Sequence, residues 1–91
     1  MGVILIKRRE HYGKGIYFFN GKDITMNVVI QIKCVLNVLQ RRMNISFPDA
    51  ALKFYTSETY KTLQQTENGL WAESAEYIAD RYYEEMGFDP V

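Results

Sequence analysis

One histidine, His11, and one cysteine, Cys34, stand in a chain of 91 residues. A metal site needs three or four ligands of suitable type and spacing, and a Cys–His nucleophile needs both side chains within hydrogen-bond reach. Cys34 falls inside an apolar helical pattern and reads as a small buried hydrophobe. His11 falls beside Tyr12 at a loop tip and reads as solvated. Asp80, Glu84 and Glu85 are close together in the last helical pattern, with Asp80 and Glu84 four residues apart and so on one face. Acid–base chemistry or cation binding there needs a pocket that separates their pKa values or adds oxygen ligands; a solvated acidic face is the plainer reading. No glycine-rich phosphate loop of either common spacing occurs. The expectation is a protein that is not an enzyme, with no catalytic residue, cofactor or metal.

The elements that position these groups belong to one small domain, since 91 residues exclude two domains, a large catalytic scaffold or a solenoid. Apolar content of 47% and charged content of 24% argue against disorder. The net charge is zero, but residues 1–45 carry eight basic against two acidic side chains, while residues 46–91 carry three against nine. A single cysteine forms no intramolecular disulfide, which fits a reducing cytoplasm. The run Val3-Ile4-Leu5-Ile6 is too short for an export signal and precedes its positive charges. Met26 to Leu39 is broken by Gln31, Lys33 and Asn37 and falls short of the ~20 apolar residues of a membrane span.

Periodicity then divides the chain. Val3–Ile6 and Ile16–Phe19 are β-branched and aromatic runs joined by Glu10-His11-Tyr12-Gly13-Lys14, which predicts an N-terminal β-hairpin ending at Asn20-Gly21. Such strands need cover or a pairing partner. From Thr25, Val29, Ile32, Leu36, Leu39 and Met43 recur at steps of three and four, predicting a long helix with these residues inward and Val28, Val35 and Val38 forming a second apolar face. Asp23 or Thr25 is placed to cap it. Ser46-Phe47-Pro48-Asp49 is a helix start, and Thr56-Ser57-Glu58-Thr59 predicts a break and a short helix to Gln65. Thr66–Gly69 is a turn. Ser74 then caps a last helix with Ala75, Ile78 and Tyr82 inward, Trp71 and Met86 extending that face, Gly87 at a left-handed end and Phe88 folding back. The expected fold is α+β and mostly α: a β-hairpin extension over residues 1–22, then a three- to four-helix bundle over residues 23–91, as one globular unit.

The pattern Phe54-Tyr55-x-Ser57-x-Thr59-Tyr60-x-x-Leu63, followed by Gly69-Leu70-Trp71-x-x-Ser74-x-x-Tyr77 and Glu84-Glu85, resembles a family of small bacterial proteins without an assigned activity. Members are often encoded beside ADP-ribosyltransferase-like proteins. The similarity covers roughly residues 26–86 and implies a compact helical domain from a bacterium, with no reaction attached. A shorter segment, Gly13-Lys14-Gly15-Ile16-Tyr17-Phe18, is similar to a strand of the NAD pocket in ADP-ribosyltransferases. That fold needs an upstream histidine strand, a downstream catalytic glutamate and a sheet larger than this chain builds, so the segment reads as a plain strand.

Two functional expectations follow. The first is an interaction module that binds a protein partner or itself, as a homo-oligomer, through the sticky hairpin and the apolar helix. Ile4, Ile6, Tyr17 and Phe19 are its candidate contacts, together with Tyr83, because Tyr82 and Tyr83 point about 100° apart on a helix and both cannot face one core. The second is a small nucleic-acid-binding regulator using Arg8, Arg9, Lys14, Arg41 and Arg42. Its charge argument is weakened by the neutral total and by the natural place of cations at a helix C-terminus.

Overall fold

A computed structural model describes residues 16–88 of the chain. Asn20 and Gly21 both take positive φ, 51° and 79°, the conformation of a two-residue hairpin turn that Asn-Gly favours. They join strands β1 (Phe18–Phe19) and β2 (Lys22–Asp23), antiparallel with Phe18 opposite Asp23 and Phe19 opposite Lys22. The described hairpin therefore turns at Asn20-Gly21, where the sequence reading ended its second strand. The anticipated first strand Val3–Ile6 and the loop at residues 10–14 lie outside the described residues. Lys22-Asp23 carries no apolar alternation, which is why it did not read as a strand.

Among the described residues four α-helices follow: α1 (Thr25–Met43), α2 (Phe47–Tyr55), α3 (Glu58–Gln64) and α4 (Ala75–Met86). Two 3-10 turns, Thr66–Asn68 and Leu70–Ala72, link α3 to α4. The fold is a small α+β arrangement, mostly helical, as the periodicity predicts. Each later helix starts on a serine: Ser46 accepts from Asp49 N at 3.2 Å, Ser57 from Tyr60 N at 3.1 Å and Ser74 from Tyr77 N at 3.1 Å. Ser57 also donates to Phe54 O at 2.6 Å, so one hydroxyl ends α2 and begins α3. At the start of α1 the N-cap position falls on Ile24, which has no side-chain cap, so neither Asp23 nor Thr25 occupies the expected capping position. Asp23 Oδ1 accepts from Thr25 N at 3.0 Å, while Thr25 Oγ1 accepts from Ile16 N and Tyr17 N at 2.8 and 3.0 Å.

Gly87 closes α4 at φ 78°, and Phe88 N returns to Tyr83 O at 2.9 Å with the two rings 5.3 Å apart. This is the glycine-terminated end, with its apolar clasp, that residues 87–88 encode.

The core is a ring of side chains from all four helices around Leu36, Leu39, Phe54, Leu63 and Ile78. Phe54 meets Tyr60 and Tyr82 edge to face at 5.5 and 6.1 Å. Three inward assignments change. Val29 is exposed, because the buried arc of α1 runs through Val28, Val35, Leu36, Val38 and Leu39 and Val29 lies about 100° from Val28. Cys34, next to Val35, is exposed for the same reason. Met86 also faces solvent at the end of α4. In the other direction, Tyr83 is only 4% exposed and Tyr82 is buried as well. Tyr83 is therefore not a surface anchor: α4 is covered on two sides, with Arg42 of α1 over the Tyr83 ring and Phe54 of α2 against Tyr82.

The hairpin is fastened to the helices. Ile24 N donates to Tyr17 O at 2.9 Å, Thr66 Oγ1 to Phe18 O at 2.6 Å, and Gln64 Nε2 to Tyr17 Oη at 2.7 Å. Phe19 sets its ring on Trp71 at 5.7 Å.

Candidate interaction surface

A helix whose core arc is centred near Val35 and Leu39 must present its opposite side to solvent. On α1 that side carries Met26, Val29 and Ile30 in the first two turns, then Lys33, Cys34, Asn37 and Arg41. Val29 is 46% exposed and Ile30 55%, large values for β-branched apolar residues in consecutive positions. Phe47, Leu52 and Tyr55 of α2 are also exposed. Between the two helices runs an apolar groove lined by Val29, Ile32, Lys33, Leu36, Phe47 and Tyr55. Phe47 and Tyr55 are eight residues apart, so the α2 wall is about 12 Å long, roughly two turns of a docked helix. Lys33 is the one charged residue among those lining it.

A second groove borders the other flank of α1, lined by Asn27, Ile30, Gln31, Cys34, Trp71 and Ala72. Gln31 Nε2 ties α1 to this wall by donating to Trp71 O at 2.9 Å and to Glu73 O. The indole Nε1–H of Trp71 is used internally, donating to Thr66 O at 2.9 Å. Met26, Val29 and Ile30 thus stand between two concave strips.

The carboxylates of α4, expected as one solvated face, separate into different roles. Asp80 Oδ1 accepts from Arg42 Nη1 at 2.8 Å. Glu85 reaches the start of α3, where Oε2 accepts from Glu58 N at 2.8 Å and Oε1 from Thr59 N and Thr59 Oγ1 at 2.9 and 2.7 Å. Burial opposes charge on Glu85, but the amides of Glu58 and Thr59, the Thr59 hydroxyl and Lys61 outweigh it and hold its pKa below the ordinary carboxylate value. Burial raises the Tyr82 hydroxyl pKa, with Glu85 and Tyr83 adding to it, and raises that of Tyr60, with Tyr17 and Tyr55 adding. Among the described residues no group of three or more His, Cys, Asp and Glu side chains is arranged to hold a metal ion. No described helix is long and apolar enough to cross a membrane.

Of the candidate protein contacts, Tyr17 and Phe19 are half-buried and occupied within the chain by Gln64 and Trp71, and Ile4 and Ile6 lie outside the described residues. Of the candidate nucleic-acid contacts, Arg8, Arg9 and Lys14 likewise lie outside them. Arg41 is exposed, with Nη1 donating to Asn37 O at 3.5 Å. Arg42 is committed to Asp80 and to the face of Tyr83, 5.3 Å from its guanidinium. The exposed trio Met26, Val29 and Ile30 was not legible, since the periodicity places Val29 inward and assigns Met26 and Ile30 to no apolar face, while the second apolar face of Val28, Val35 and Val38 is buried. The Glu85 cap had no local signal, since its partners are 26 and 27 residues away. Compared with known proteins, the chain matches no family model, no curated protein and no solved structure.

Proposed function

We propose that this chain is a non-enzymatic interaction module that associates with itself through its apolar helix α1 and the adjoining surface of α2. The observation that carries this reading is the exposure of Met26, Val29 and Ile30 on α1, with Val29 sharing a groove with the exposed Phe47 and Tyr55 of α2. Contiguous apolar surface is costly in water, at about 25 cal/mol per Å², and on soluble domains it marks places where something binds. Tyr17 and Phe19 act as fasteners of the hairpin, so the helical surface bears the association. Ile16 and Phe18, exposed at the hairpin end, extend the same apolar character.

Mass in solution tests the proposal. Light scattering or sedimentation across a roughly hundredfold range of concentration is expected to show mass rising above the monomer by mass action, with little loss at high salt because the surface is apolar. A monomer throughout that range overturns it.

A further inference from the structure

The second groove, on the flank of α1 that faces the hairpin, has two walls of different origin. Asn27, Ile30, Gln31 and Cys34 form one helical stripe of α1, and Trp71 and Ala72 of the second 3-10 turn stand opposite. The Gln31 amide joins the walls by donating to Trp71 O and Glu73 O, so their separation is fixed. Ile30, Cys34 and Ala72 are exposed, and no charged side chain is among the lining residues. Ile30 and Trp71 give the groove an apolar side on each wall.

We propose that the segment Val3-Ile4-Leu5-Ile6 of the same chain, outside the described residues, fills this groove with Ile4 and Ile6 against Ile30 and Trp71. The first ground is where the chain arrives. Ile16 and Tyr17 are held at the start of α1, their N–H groups donating to Thr25 Oγ1 at 2.8 and 3.0 Å, and Phe19 packs on Trp71 at 5.7 Å. The chain therefore enters beside both walls. Measured along α1 from Thr25, the stripe from Asn27 to Cys34 lies about 3 to 14 Å away, and residues 7–15 extend to about 30 Å, so residues 3–6 reach it. Four extended residues span about 13 Å, close to the ~10 Å from Asn27 to Cys34. The second ground is apolar demand on both sides. A run of four large aliphatic residues needs cover, and Ile4 and Ile6 share one face of an extended segment. The third ground is charge. Residues 1–15 carry Lys7, Arg8, Arg9 and Lys14 against Glu10, whereas residues 66–76, which hold the Trp71 wall, carry Glu67, Glu73 and Glu76 and no basic residue. None of these three carboxylates is in an ion pair among the described residues. The groove on the other flank is lined by Lys33, which repels the same basic segment. Val29, Phe47 and Tyr55 on that flank stay free, so this assignment goes beyond the self-association proposed above and does not depend on it.

The test uses the full chain, in which Trp71 is the only tryptophan and Cys34 the only cysteine, one on each wall. The double variant Ile4→Asp with Ile6→Asp is expected to keep the helical circular dichroism of the parent while shifting Trp71 emission to the red and raising its quenching by acrylamide. Ile4→Cys is expected to join Cys34 within one chain on mild oxidation, because seating residue 4 brings the two Cα atoms within the ~7 Å that a disulfide tolerates. The product is a monomer that migrates faster without reductant. With Cys34→Ser and Leu52→Cys in place, Ile4→Cys is expected to stay reduced over the same interval. Unchanged Trp71 emission, no crosslink to Cys34, or crosslinking to Leu52→Cys as readily, overturns the seating. A crosslinked dimer that the parent does not form overturns the assignment to the same chain. A parent that is monomeric at every concentration removes the self-association reading and leaves both readouts of this one intact.

Discussion

The carboxylate of Glu85, near the end of α4, serves as a second N-terminal cap of α3 beside Ser57 by taking both the amide and the hydroxyl of Thr59, at 2.9 and 2.7 Å, as well as the amide of Glu58. A helix of only seven residues is marginal alone. It is held here from two directions, by Ser57 within its own chain segment and by Glu85 across the fold. Removing the distant cap is expected to cost about 1–2 kcal/mol. Urea unfolding of Glu85→Ala measures it, and a change near zero would show that water replaces the carboxylate without penalty.

The same contact sets a pH dependence. The folded-state pKa of Glu85 is depressed, so the unfolded chain binds its proton more readily. The stabilisation is present above the ordinary carboxylate pKa and is lost as pH falls through the lower folded value. The stability difference between parent and Glu85→Gln is therefore expected to be largest near neutral pH and to shrink in acid. Paired melts across that range report it, and a difference independent of pH would refute the assignment.

Arg42 joins α1 to α4 through Asp80 and the Tyr83 ring. Its side chain is 15% exposed but that of Asp80 is 48%, so solvent screens the pair. Arg42→Ala is expected to cost about 1 kcal/mol, with contributions from the ion pair and the ring contact. A double-mutant cycle with Asp80→Asn should return a coupling of less than about 1 kcal/mol.

Phe54 and Leu52 are two residues apart with opposite fates. Phe54 is fully buried in the core, so Phe54→Ala is expected to cost about 3–5 kcal/mol and to leave the domain barely folded. Leu52 is 67% exposed, so Leu52→Ala should change stability by less than about 0.5 kcal/mol. Thermal melts of the two variants separate core from surface on α2 directly.

Gly87 takes φ 78°, and among the described residues beyond its chain neighbours and its own helix backbone no atom lies within 4 Å of where a Cβ would stand. Gly87→Ala meets no steric contact among those residues, and its expected cost of about 1 kcal/mol is that of the left-handed backbone. A Tm equal to that of the parent would show that α4 can end another way.

Local chemistry was readable wherever neighbours in sequence supply both partners of an interaction. Ser46, Ser57 and Ser74 cap helices because donor and acceptor are three residues apart, and Gly87-Phe88 ends α4 because the left-handed turn is a property of one residue. The Asn20-Gly21 turn was equally local, and went unread only because Lys22-Asp23 lacks the apolar alternation that identifies a strand. The candidate surface was less legible. Periodicity showed that α1 has apolar residues on more than one side, but not which side the other helices would cover.

The amino-acid sequence by itself determined a small, mostly helical fold with a hairpin at its entrance, through the 3.6-residue period and the capping residues. Only the tertiary structure decided the fate of side chains whose partners lie far along the chain. Tyr83 is buried because Arg42 and Phe88 close over it, Glu85 is a cap because α4 passes the start of α3, and Val29 and Cys34 face outward because α4, α2 and the 3-10 turns occupy the other side of α1. The physical reason is common to all of them: an amphipathic period specifies a rotation about a helix axis, whereas burial depends on which neighbours pack around that axis and from how many directions.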